Sequence, residues 1–160
     1  MDENMLTLAL ERLDFGDEAE IDINGKAYND LIDACFEYSK FFSFTVFEKD
    51  LDDFRPYLYK IVTEPYCYRP NKHYKTYFYL CCDAAMAKLK SPQYSLFYWT
   101  GAWLTPENLS FYRSDGSILL ASIAHDQNCY VFIRDENIDD FMALAKWQRK
   151  DMTPLHSYEL

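Results

Sequence analysis

His125 and Asp126 stand together in I-A-H-D-Q-N, at the expected end of a strand. An imidazole titrates near neutral pH, and a carboxylate that orients it completes a general base. Sequence neighbours on a strand face opposite ways, so the alternative is a histidine that only serves a turn. The other histidines, His73 and His156, are not spaced from each other or from any Cys as metal ligands would be. Cys81-Cys82 is the other candidate for nucleophilic work. A thiol inside an apolar strand keeps its proton and reacts slowly. The remaining cysteines are Cys35, Cys67 and Cys129, an odd total with no C-x-x-C, which argues against a disulfide framework or a zinc site. No G-x-S-x-G, P-loop or G-x-G-x-x-G occurs, so no catalytic residue, cofactor or metal is assigned.

The chemistry that remains is recognition. The chain carries 12 Phe, 14 Tyr and 3 Trp at a net charge of −10. Charge is uneven: residues 1–53 hold 15 acids and 4 bases, residues 54–90 hold 2 acids and 7 bases. Two acidic clusters stand out, Asp14, Asp17, Glu18, Glu20 and Asp22, then Asp50, Asp52 and Asp53. One reading is a solvated face. The sharper one is a docking face for a basic protein, where complementary potentials speed association. Calcium is disfavoured because the EF-hand loop pattern is absent. Residues 66–79, YCYRPNKHYKTYFY, interleave bases with aromatics, as a single-stranded nucleic-acid platform does. The alternative is a turn running into a strand of half-buried Tyr, and the net negative charge favours it.

The elements that position these groups follow from periodicity. A chain of 160 residues fits one globular domain spanning 1–160. The acidic start lacks a basic leader and no 18-residue apolar run exists, so a cytoplasmic chain with no membrane span is expected. Residues 3–13 read as a short helix, and 20–28 as a hairpin turning at Asn24-Gly25. Tyr28, Leu31, Ile32, Cys35 and Phe36 share a helical face, with Asp30, Asp33 and Glu37 off it. A strand over 42–47, a helix over 53–62, a strand over 74–82 and a helix over 84–90 capped by Asp83 come next. Thr105-Pro106 reads as the start of a short helical turn. Residues 110–134 read as a β-meander turning at Asp115-Gly116 and again at 125–128, and a helix follows from 135 to 150. The sum is an α+β domain with a mainly antiparallel sheet of about five strands flanked by helices.

Residues 103–133 carry Pro106, Glu107, Asn108, Leu109, Phe111 and Tyr112, then Asp115-Gly116, then Ser122, His125 and Asp126. This P-E-[DN]-L-x-F-[YF], D-G, S-x-x-H-[ED] arrangement resembles a segment of small uncharacterised bacterial proteins, some of immunity-protein type. It covers about a fifth of the chain, and Asp126 stands where Glu is expected. The resemblance implies a cytoplasmic immunity or antitoxin protein that neutralises a basic, toxin-like protein partner, with no direct nucleic-acid or membrane contact. Asp115, His125 and Asp126 mark a possible functional turn in it. Two other readings stand beside this one: a small enzyme using His125 in an aromatic-lined pocket, and an accessory subunit of a phage or mobile element.

Overall fold

The computed structural model describes residues 5–11, 25–46, 53–65, 73–90, 95–99, 106–124 and 128–146. Among them are seven strands: β1 (Met5–Glu11), β2 (Phe41–Val46), β3 (Leu58–Pro65), β4 (His73–Leu80), β5 (Glu107–Tyr112), β6 (Ile118–Ile123) and β7 (Asn128–Arg134). They form one sheet in the order β1-β7-β6-β5-β2-β4-β3, every neighbouring pair antiparallel. Three helices, α1 (Gly25–Tyr38), α2 (Asp83–Leu89) and α3 (Ile138–Ala145), accompany it. α1 packs against both α2 and α3. The α+β class and the C-terminal meander β5-β6-β7 are as the sequence predicts.

The two strands beyond the expected five occupy segments read as helices. Residues 3–13 contain β1, because Leu6, Leu8 and Leu10 alternate with period two and pair in register with Ile133, Val131 and Cys129. Residues 53–62 hold only a 3-10 turn, Arg55–Tyr57, with Pro56 at its start. Tyr59, Ile61, Val62 and Thr63 then form β3 against β4, as aromatic and β-branched residues favour.

Smaller corrections have local causes. Gly25 does take a positive φ of 55°, but it opens α1 instead of turning a hairpin; residues 20–24 lie outside the described residues. Pro106 leads directly into β5, not into a helical turn, and Thr105 is outside the described residues. Cys82 is the extended residue before α2, and Asp83 sits in the first turn, where its charge suits the helix dipole. The last helix begins with a 3-10 turn, Asp135–Asn137, and Lys146 ends α3 in the left-handed region.

The helices cover one face of the sheet. Phe42 and Phe44 of β2, Tyr79 of β4, Phe111 of β5 and Val131 of β7 are fully buried on it, with Tyr28, Leu31, Ile32 and Cys35 of α1 above them. Phe42 pairs in register with Tyr79 on one side and Phe111 on the other. Its ring stacks on Tyr79 at 5.1 Å and meets Phe54 and Phe36 at 5.6 and 6.0 Å. Such ring pairs add stability beyond the area they bury.

Polar groups tie the layer down. The buried Tyr28 hydroxyl donates to the Leu89 carbonyl at 2.8 Å and accepts from Trp99 Nε1 at 3.2 Å, joining α1, the end of α2 and the 95–99 segment. Asn108, at φ 57°, forms the bulge where β5 shifts register against β2, and its Oδ1 accepts from the Ala124 amide at 3.0 Å. Two tyrosine hydroxyls therefore predict opposite outcomes. Tyr28→Phe removes the donor to the buried Leu89 carbonyl and the acceptor of Trp99 Nε1, and should lower stability by about 1–3 kcal/mol in urea unfolding. The Tyr79 hydroxyl is buried without a hydrogen-bond partner, so Tyr79→Phe should leave the urea midpoint unchanged or raise it.

Candidate functional site

On α1, Asp30, Asp33 and Glu37 recur at helical spacing, so they share the face turned away from Leu31, Ile32 and Cys35. Lys26 pairs with Asp30 at 2.6 Å and Lys90 with Asp33 at 2.6 Å. α3 packs against α1 and brings Asp139 and Asp140 in its first turn, both exposed. Glu37 and Asp140 have no ion pair among the described residues. Between them stands Tyr38, half-buried, with its ring 6.0 Å from Phe141. Burial first, then the charges of Asp140 and Glu37, push its phenol above the usual tyrosine range. The result is an acidic helical face with a tyrosine at its centre.

This face is not the one expected. Asp14, Asp17, Glu18, Glu20, Asp22, Asp50 and Asp52 lie outside the described residues. Asp53 is exposed, and its backbone carbonyl accepts a hydrogen bond from Lys88 Nζ. The signal for the helical face was present in the spacing of Asp30, Asp33 and Glu37. Which acids on α3 join them depends on how two helices cross, which single-helix periodicity does not encode.

The β5–β6 turn is built by its own residues. Arg113 accepts at its carbonyl from the Gly116 amide at 3.0 Å, and Gly116 takes a φ of 85°. Asp115 accepts from the Ser117 amide at 2.9 Å and the Ser117 hydroxyl at 2.6 Å, and Arg134 Nη2 reaches its other oxygen at 2.6 Å. The hydrogen bonds from Ser117, then the one from Arg134, hold the Asp115 carboxyl at about 2, well below its ordinary value. Arg113 is buried beneath the turn, donating to the carbonyls of Ile118, at 2.8 Å, and of Phe132. Burial first, then the Arg134 charge, lowers its pKa. Asp115 thus locks a hairpin, and His125 and Asp126, expected to share its function, lie outside the described residues.

The basic-aromatic stretch divides between the two faces of the sheet. Tyr77 and Tyr79 point into the core, so they are unavailable as stacking platforms for bases. Phe78 lies on the open face, 5.3 Å from Tyr112, with Lys60 Nζ 4.9 Å above its ring. Residues 66–72 are outside the described residues, and His73 is exposed at the start of β4. The thiols of Cys35, Cys81 and Cys129 are poorly suited to attack. Burial pushes Cys35 and Cys129 up, and Cys81, in burial beside Cys82, up to about 12. Among the described residues no three His, Cys, Asp or Glu side chains gather as a metal site, and no helix is long and apolar enough to cross a membrane.

The chain matches none of the protein-family models, none of the curated proteins and none of the solved structures it was compared with.

The hairpin lock has a pH signature. The folded carboxyl of Asp115 titrates below its unfolded value, so its contribution is complete above about pH 4 and is lost as pH falls toward 2. Thermal unfolding midpoints of Asp115→Asn and wild type should therefore differ above pH 4 and converge near pH 2. A gap that stays constant across that window would show that neither the Ser117 hydrogen bonds nor the Arg134 ion pair favours the ionised carboxyl in the folded state.

Proposed function

We propose that the chain is a non-enzymatic binding protein of immunity or antitoxin type, which neutralises a basic protein partner through an acidic, tyrosine-bearing face. The observation that carries this reading is the convergence of Glu37 and Asp140 on Tyr38 at the α1–α3 junction. Glu37 and Asp140 set negative charge around one phenol, a potential that a cationic partner complements. Tyrosine at the centre of a charged rim is the composition of a binding hot spot, with an amphipathic ring to anchor and acids to steer. The partner is basic because it must complement this face. A toxin that cuts nucleic acid meets that condition, since it must itself bind a polyanion. The net charge of −10 also works against direct nucleic-acid binding by this chain.

The test is binding of a basic protein encoded next to this chain, followed by surface plasmon resonance. A one-to-one complex is expected, with association slowing by about tenfold or more as salt rises from roughly 0.05 to 0.5 M. Glu37→Lys combined with Asp140→Lys should slow association by at least about tenfold at low salt, whereas Lys40→Glu beside the sheet should not. Affinity indifferent to salt and to the double reversal would overturn the reading.

A further inference from the structure

Among the described residues the sheet ends at β3, whose outer side pairs with no other strand. Residues 58–61 and 63–65 are exposed, including Tyr59 at 56% and Ile61 at 45%, and only Val62 is half-buried. β4 occupies one side of the strand, and no strand follows β3 in the sheet order. A free edge of eight residues offers a row of backbone donors and acceptors to another extended chain.

The geometry points to a second copy of this chain as the occupant, paired antiparallel to β3 about a two-fold axis through Val62, so that two sheets become one. Directly opposed residues in an antiparallel pair are either both hydrogen-bonded to each other or both not. Residues of β3 alternate between facing β4 and facing outward, so a symmetric pairing must centre on a residue, not between two. Centring on Ile61 sets Lys60 opposite Val62 and Glu64 opposite Leu58, leaving both charges against apolar side chains. Centring on Thr63 leaves Lys60 without a partner inside the strand. Centring on Val62 places Lys60 opposite Glu64 twice, Ile61 opposite Thr63 twice, and Val62 opposite itself. Opposite charges across a strand pair attract, and like charges repel.

Charge and face both agree with this register. Lys60, Val62 and Glu64 pair with Phe78, Thr76 and Tyr74 of β4 and therefore share the sheet face away from the helices. Lys60 already lies over Phe78 at 4.9 Å, and Glu64 accepts from the Tyr74 hydroxyl at 2.5 Å, so both are held beside the edge. The acidic α1–α3 face cannot meet its own copy without repulsion. The β3 edge, with one base and one acid set symmetrically about Val62, can.

Sedimentation from about 1 μM to about 1 mM, a range that covers the Kd of weak dimers, reads the outcome. The mass should rise from 19.0 kDa toward twice that value, with slower hydrogen exchange at the outward amides of β3. Val62→Lys should abolish the rise. Lys60→Glu and Glu64→Lys should each weaken the dimer roughly tenfold, because two attractive pairs become repulsive. Lys60→Glu with Glu64→Lys restores the pairing and should recover wild-type association, with circular dichroism confirming that each variant is folded. A wild-type mass that stays at 19.0 kDa throughout overturns the inference, as does a double variant no stronger than the singles or a dimer that Val62→Lys leaves intact.

Discussion

Phe42 is the point on which the layers of this protein agree. Its strand, β2, has a neighbour on each side, and Phe42 pairs in register with Tyr79 and Phe111. Phe36 comes down on both Phe42 and Phe111 from α1, and Phe54 approaches from the segment that leads into β3. The meander, the β3–β4 hairpin and the helical layer are thus joined through one cluster of rings. Interiors pack as densely as molecular crystals, so these rings must fit together as a set. Truncating Phe42 would open a void that none of its neighbours could fill alone.

That cluster occupies one face of the sheet and leaves the molecule two-sided. The helices above it expose Glu37, Asp139 and Asp140, with Asp30 and Asp33 half-buried beside them, while the opposite sheet face carries Phe41, Phe78 and Tyr112 with Lys40 and Lys60 over the rings. The aromatic content of the sequence therefore serves two ends. Phe42, Phe44, Phe54, Phe111 and Phe141 fill the core with Tyr28, Tyr77 and Tyr79. Phe41, Tyr59 and Tyr112 line the open side, with Phe41 and Tyr59 4.7 Å apart. The buried Arg113 closes the hairpin end of the sheet by giving its protons to carbonyls of β6 and β7 instead of to a carboxylate.

Much of this was legible in the residues. The apolar spacing from Tyr28 to Phe36 specified α1, the mixed β-branched and aromatic run specified β2, and Asp115-Gly116 specified the turn between β5 and β6. Pro106 stands just before β5 and Leu109 within it is fully buried. The errors arose where local preference was overridden by distant pairing. Residues 5–11 have a helix-compatible composition, yet β7 supplies an exposed edge that they complete. Residues 58–65 follow a helix-like opening, yet β4 lies ready to pair with them. The acidic helical face escaped notice for the same reason, since Glu37 and Asp140 act on Tyr38 together only once α1 and α3 have packed.

The position of β1 sets an order of events. It pairs only with β7 in the sheet, and Met5 opposes Arg134, so the strand at residues 5–11 waits for the one at residues 128–134. β2 through β6 can assemble while β1 has no partner, and closing the loop between β1 and β7 costs chain entropy that local pairings do not. Loop-closure entropy therefore favours late docking of β1. β1, like β3, has one neighbour in the sheet, so local opening frees it by breaking a single ladder.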